Sequence, residues 1–218
     1  MRAEVEPVVL TTETIATPIG DLVLVVDEAG ALVAAEFADV RHRLDRWLDR
    51  RLAAGRTALR AGRVPDAVKA AFAAYFDGDL AAFDALPIKL DGTSFQNDVW
   101  AALRSIAPGR TFGYGAFAER LGRSQSARAV GAANGANPLS IVVPCHRLVG
   151  ADGDLTNYGG GLERKRWLLE HEARHARPAS DAAGSCNVES PSPPSPDPVQ
   201  DGRRRTIAIP TVFFARRR

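Results

Sequence analysis

Hydrophobic and polar positions alternate or cluster in three distinct ways along the chain. Residues 15–26 are rich in β-branched side chains, and Pro18-Ile19-Gly20 turns the chain before an apolar run at 22–26. Asp27 to Gly30 marks a second turn before the apolar stretch 31–37. Short strands separated by tight turns predict a small antiparallel sheet. Residues 41–52 and 67–76 then read as helices, the second carrying Ala67, Val68, Ala71, Phe72 and Tyr75 at helical spacing.

After about Leu90 the period stays helical. Phe95, Val99, Trp100 and Leu103 form an i, i+4, i+5, i+8 stripe, which Pro108-Gly109 stops. Two short helical patterns, 114–121 and 126–136, flank Gly122-Arg123-Ser124-Gln125, the pattern of a helix-turn-helix. Ile141-Val142-Val143 reads as a buried strand, followed by Pro144-Cys145-His146-Arg147, a Gly/Asp turn region and a last helix over 161–174. The expected class is therefore α+β: an N-terminal α+β domain (1–90), a mainly helical domain (91–177) and a tail (178–218). Five prolines between 191 and 198 and a Ser/Pro/Asp/Gly composition predict that the tail is disordered.

Composition narrows the class. The chain has 218 residues, 45% hydrophobic and 25% charged, proportions that build a core and exclude disorder throughout. The opening Met1-Arg2-Ala3-Glu4-Val5-Glu6-Pro7 lacks a basic-then-apolar leader and no apolar run reaches membrane-spanning length, so a cytoplasmic protein with no membrane partner is expected. Net charge is +2, unevenly spread: residues 1–90 carry 11 Lys/Arg against 14 Asp/Glu, and residues 91–177 carry 11 against 8. The basic segment suits a modest polyanion footprint without requiring one.

Two cysteines, Cys145 and Cys186, stand too far apart in sequence to suggest a structural disulfide in a reducing compartment. Cys186 falls in the tail, where it is expected to be inert. Cys145 follows an apolar run and Pro144, beside His146 and Arg147. A thiol near a base and a cation is a setting that lowers its pKa and raises the thiolate fraction; a buried structural cysteine is the competing reading. If the segment is extended, neighbouring side chains point to opposite faces, and His146 reaches Cys145 through a water.

Ile141-Val142-Val143-Pro144-Cys145-His146-Arg147 closely resembles the active-site signature of the O6-alkylguanine-DNA alkyltransferases (methylated-DNA–protein-cysteine methyltransferases). The resemblance extends to Phe95-Gln96 with Val99-Trp100, to Phe112-Gly113-Tyr114-Gly115, to 127–138, to Tyr158-Gly159-Gly160-Gly161-Leu162 and to Trp167-Leu168-Leu169-Glu170-His171-Glu172. It covers residues 93–175 almost continuously. It implies a ribonuclease-H-like N-terminal domain and a winged helix-turn-helix-like C-terminal domain. The implied reaction is direct-reversal repair, in which Cys145 irreversibly accepts a methyl or other alkyl group from O6-alkylguanine in duplex DNA, with O4-alkylthymine an open second substrate.

The same resemblance implies individual roles. Cys145 is the acceptor, consumed after one turnover because a thioether has no easy leaving path. His146 is the water-linked base, and Glu172 orients its ring. Asn137 is the hinge between the recognition helix and the active-site segment, its amide able to donate and accept at once. Tyr114 faces the phosphate of the flipped base and donates a proton to the guanine. Arg128 is the intercalating cation on a helix, with Ala127 and Gly131, lean enough to enter a minor groove about 6 Å wide. Gly159, Gly160 and Gly161 let backbone approach the extruded base closely.

Glu172 has independent support. It lies i+4 from Leu168 and i+3 from Leu169, on the inward face, whereas Glu163, Arg166 and Glu170 fall elsewhere. With no cysteine before Cys145, no N-terminal cysteine-ligated zinc site is expected; metal and cofactor are both expected to be none, and a monomer is expected. Two other classes compete. A plain helix-turn-helix transcription factor gives Cys145, His146 and Glu172 no role, and a cysteine hydrolase has no use for Arg128.

Overall fold

The sheet forms around a strand that is buried on both faces. In the computed structural model, which describes residues 8–52, 57–123 and 126–176, strand β2 (Leu22–Val26) lies between β1 (Val8–Ile15) and β3 (Leu32–Phe37), antiparallel to both. Leu22, Leu24 and Val26 point into the main core, while Val23 and Val25 join Leu44, Trp47 and Leu48 of helix α1 (His42–Leu52) in a second cluster. This alternation is the period-two signature of a strand covered by apolar layers above and below. The expected antiparallel sheet is right for these three strands but incomplete. A fourth strand, β4 (Thr57–Ala61), pairs in parallel with β1 and gives the order β3-β2-β1-β4. Its Thr-Ala-Leu-Arg-Ala pattern is half exposed and carries little periodic signal.

Helix α2 (Asp66–Phe76) buries Val68, Phe72 and Tyr75 on one stripe. Helix α3 (Ser94–Arg104) begins at a capping box: the Thr93 hydroxyl accepts from the Gln96 N–H at 3.2 Å, and the Gln96 side chain accepts from the Thr93 N–H at 2.9 Å. Two-residue strands β5 (Phe112–Gly113) and β6 (Leu148–Val149) pair in parallel. Helices α4 (Tyr114–Arg120) and α5 (Ala127–Gly135) join through Gly122, whose φ of +68° suits glycine. Residues 124 and 125 of that connection lie outside the described residues, as do the expected tail and Cys186. The last helix, α6 (Leu162–His175), buries Lys165, Leu168, His171 and Glu172.

One core cluster includes residues from both sides of Leu90, among them Leu24, Phe37, Tyr75, Val99, Trp100, Val130, Cys145 and Leu168. The halves also join through backbone. The Ala35 N–H donates to the Pro138 carbonyl at 2.8 Å, and the Ser140 N–H to the Ala35 carbonyl at 2.9 Å, so β3 holds the segment leading to Cys145.

That segment departs from expectation. Residues 141–143 form a buried turn, not a strand: the Val142 N–H bonds the Ser140 carbonyl and the Val143 N–H bonds the Leu139 carbonyl, both at 2.9 Å. Apolarity reported burial, and burial alone does not separate a strand from a turn. Ile141 takes a φ of +73°, a strained conformation for a β-branched residue that its buried surroundings impose.

Candidate active site

Cys145, His146 and Arg147 form one turn of 3-10 helix, not an extended stretch, and all three are buried. The turn puts the three neighbours in separate environments. His146 is fully enclosed, its Nε2 lying 2.9 Å from Glu172 Oε1. A carboxylate can only accept, so Nε2 carries the proton and Nδ1 keeps its lone pair. Nδ1 meets no hydrogen-bond partner among the described residues. Burial lowers the imidazole pKa, Glu172 raises it, and the net direction is down. His146 therefore rests as a neutral base.

Glu172 is the most heavily bonded side chain of the site. Besides His146 it accepts from Arg147 Nη2 at 2.8 Å, Arg147 Nε at 2.9 Å, the Tyr75 hydroxyl at 3.0 Å and the Gly109 N–H at 3.1 Å. Burial alone would raise its pKa, but His146 and Arg147 hold it far below the carboxylate range. The remaining Arg147 group donates to the Ile106 carbonyl. The carboxylate that the helical pattern turned inward thus has its partners, and they come from three separate parts of the chain, at Tyr75, at Gly109 and at His146-Arg147.

The thiol corrects an expectation. Burial pushes the Cys145 pKa up, and this outweighs the lowering by the Asn137 amide and the Arg43 cation. Sequence proximity suggested that His146 and Arg147 would depress it. Both are turned toward Glu172 instead, so the resting sulfur is a protonated thiol.

Asn137, 1% exposed, ties the end of α5 to the turn before Cys145. Its Nδ2 donates to the Val143 carbonyl at 2.9 Å and the Leu139 carbonyl at 3.3 Å, while its Oδ1 accepts the Leu139 N–H at 2.9 Å. Asn134, one turn earlier, donates to the Cys145 carbonyl and the Tyr114 hydroxyl, both at 3.3 Å. Burial, then the nearby Cys145, raises the pKa of the half-buried Tyr114. Arg128 is exposed on the outer face of α5, next to exposed Ala129, Ala132 and Gly135; Ala127 is half-buried. The inner face holds Val130, Ala133 and Asn134, and the Ala133 carbonyl accepts from the Trp100 indole at 2.9 Å. A Cβ at Gly131 would stand 3.9 Å from the Tyr114 ring, an ordinary van der Waals distance.

Gly159 and Gly160 lie against protein side chains. The Arg43 guanidinium occupies the space where a Gly159 Cβ would sit, and a Gly160 Cβ would come 2.7 Å from the Tyr158 ring and 2.8 Å from the Phe37 ring.

Sequence reasoning missed five members of this arrangement, one of them Arg43, whose cation acts on Cys145 from helix α1. By its spacing Tyr75 shows only as a core residue of α2, and Gly109 only as a helix stop. Asn134 signalled itself weakly, as a polar side chain inside a short Ala/Gly helix. Lys165 is fully buried, its Nζ donating to the Leu148 and Thr156 carbonyls at 2.5 Å, and burial pushes its pKa down to about 8. It precedes Leu168 by three residues and Glu172 by seven, a spacing that placed it on the inward face. Among the described residues no group of three or more His, Cys, Asp or Glu could hold a metal ion, and no helix is long and apolar enough to cross a membrane.

A buried thiol thus lies beside a histidine–carboxylate–arginine cluster and close to two short helices, α4 and α5, the second built mostly of Ala, Gly and Asn. The family model for "6-O-methylguanine DNA methyltransferase, DNA binding domain" matches residues 94–174. The methylated-DNA–protein-cysteine methyltransferase of Salmonella typhimurium is 47% identical over 163 residues, covering 75% of this chain and 95% of its own length. The protein of that name from Mycolicibacterium paratuberculosis is 56% identical over 107 residues, 49% of this chain and 64% of its own. Among solved structures, Mycobacterium tuberculosis OGT in complex with DNA has a TM-score of 0.63 at 40% identity, over 78% of this chain and 96% of that one. The O6-methylguanine-DNA methyltransferase of Pyrococcus kodakaraensis gives 0.57 at 30% identity, over 75% and 98%. The chain belongs to the methylated-DNA–protein-cysteine methyltransferases.

Proposed function

We propose that this protein repairs duplex DNA by direct reversal, transferring a methyl or other alkyl group from O6 of guanine to Sγ of its own Cys145, once per molecule. The observation that carries the reading is the Cys145-His146-Glu172 arrangement beneath α5. Glu172, kept anionic by its five donors, fixes the tautomer in which His146 Nδ1 is the free base. With a lesion bound, the thiol proton passes through a water to Nδ1, and Glu172 stabilises the imidazolium that forms. The thiolate attacks the alkyl carbon; the C–S bond forms, the C–O bond breaks, and the electron pair stays on guanine O6. Tyr114 supplies a proton to the base as this charge develops.

The raised thiol pKa fits this sequence of events. A high-pKa thiolate is intrinsically the stronger nucleophile, and a thiol kept protonated at rest is spared oxidation until a base takes its proton. The carbon–sulfur bond formed has no leaving path, so the protein is consumed. In the same reading α5 enters the minor groove, Arg128 fills the space of the extruded base, and Ala127 and Gly131 keep the helix lean, whereas the room left by Gly159 and Gly160 is taken by Arg43, Tyr158 and Phe37 and not by a base. Asn137 couples that helix to the thiol segment. The strand order and the parallel β1–β4 pair support a ribonuclease-H-like N-terminal half ending near Leu90. The α4–α5 unit with the β5–β6 pair supports a winged helix-turn-helix in 91–177. A monomer suffices for the chemistry.

The test is an intact-mass measurement after incubation with a duplex containing one O6-methylguanine. A single gain of about 14 Da on the peptide containing Cys145, CH3 replacing H on sulfur, supports the reading. No gain, or sustained turnover, overturns it.

A further inference from the structure

Beside the outer face of α5 lies a groove of about 260 Å³, walled on one side by Ala132 and Gly135 and on the other by Arg43, Arg46, Trp47 and Arg50 of α1. The four α1 residues follow an i, i+3, i+4, i+7 stripe, so one helical face looks across at the recognition helix. Its first cation is already engaged. Arg43 pairs with buried Glu36 at 3.0 Å and donates to the Gly135 carbonyl at 3.0 Å and the Asn137 carbonyl at 3.3 Å, capping the end of α5.

The next two are not. Among the described residues, exposed Arg46 bonds only to the His42 carbonyl of its own helix, at 3.3 Å, and exposed Arg50 has no ion-pair partner. Neither Asp45 nor Asp49 lines the groove, and Asp45 is paired with Arg41 at 3.1 Å. Two uncompensated guanidinium groups thus project from a segment whose balance is acidic overall, 11 Lys/Arg against 14 Asp/Glu over residues 1–90. They stand where that segment borders the exposed face of α5.

We propose that Arg46 and Arg50 bind backbone phosphates of the DNA strand that flanks the minor groove receiving α5, so that the N-terminal half contributes to the DNA footprint. The proposal rests on the reading of α5 as the groove-entering helix. A minor groove is about 6 Å wide, so a helix seated in it has a phosphate backbone along each side. Gly135 lies seven residues from Arg128, about 10 Å along the helix axis, which puts the groove with Arg46 and Arg50 at the opposite end of the same DNA-facing surface. Guanidinium groups suit phosphate oxygens in charge and in bidentate geometry. Such bonds carry register and affinity but no sequence information.

The experiment measures binding of the full chain to an undamaged duplex between about 50 and 200 mM salt, for wild type, the double variant Arg46→Gln/Arg50→Gln, and Arg166→Gln on the exposed face of α6. Transfer from free O6-methylguanine base is followed in parallel. The double variant is expected to lower the slope of log K against log salt by about 1.8, about 0.9 for each phosphate no longer neutralised, with free-base transfer equal to wild type. Arg166→Gln is expected to leave the slope as in wild type. A double-variant slope equal to wild type, with Cys145 still alkylated from duplex, overturns the proposal and leaves the repair reading standing. A wild-type chain that neither binds duplex nor alkylates overturns both.

Discussion

Replacing Glu172 with Gln tests whether the relay is also a structural keystone. The carboxylate is fully buried and accepts five hydrogen bonds, from His146, twice from Arg147, from Tyr75 and from Gly109. An amide keeps one acceptor oxygen and turns an NH2 toward groups that can only donate or prefer to. The larger loss is electrostatic. Arg147, 7% exposed, keeps its bond to the Ile106 carbonyl but loses the one counter-charge it has among the described residues, and an uncompensated buried cation costs about 3–5 kcal/mol. Against a domain stability of about 5–15 kcal/mol this is a large fraction.

The pH dependence has a definite sign. The folded-state pKa of Glu172 lies far below its ordinary 4.5, so its stabilisation is complete above about pH 4.5 and is lost as pH falls below that value. Urea unfolding of wild type and Glu172→Gln at pH 7 and at acid pH measures both effects. The expected gap is about 3–5 kcal/mol at pH 7, narrowing in acid. In the folded fraction, loss of the fixed His146 tautomer is expected to slow transfer about 10²- to 10⁴-fold. A variant within about 0.5 kcal/mol of wild type at pH 7 would refute the assignment of Glu172 as the partner of a buried cation.

Three further outcomes follow from the geometry. Arg128→Ala is expected to weaken transfer from a lesion in duplex more than transfer from free O6-methylguanine, because Arg128 is exposed on α5 while the buried face of that helix carries Asn134 to the Cys145 carbonyl; equal losses in rate assays on both substrates would count against it. Gly160→Ala places a Cβ 2.7 Å from Tyr158 and 2.8 Å from Phe37, and denaturant titration is expected to show about 1–3 kcal/mol of overpacking cost; a neutral result means the rings yield freely. Lys165 titrates at about 8 when folded against 10.5 ordinarily, so between those values the unfolded chain binds the extra proton and stability rises with pH. The stability difference between wild type and Lys165→Met should therefore change across pH 8 to 10.5 in favour of wild type, and a flat difference refutes the burial of a charged lysine.

The legible parts of this protein were those written in local pattern. The helical stripe of α2, the Phe95-Val99-Trp100-Leu103 stripe of α3, and the inward position of Glu172 follow from spacing along one element. The heptapeptide around Cys145 likewise identified the family, because a signature lies in contiguous residues. Tertiary structure decided which charges cancel. Arg147 sits two residues from Cys145 in the chain yet gives its charge to Glu172, because a 3-10 turn separates side chains that an extended strand would have alternated. The thiol is therefore raised by burial where its neighbours in sequence suggested it would be lowered. Tyr75, Gly109 and Arg43 reach the site from distant elements, and β4 joins the sheet by long-range pairing. Such arrangements depend on how elements pack, a property that no window of sequence contains.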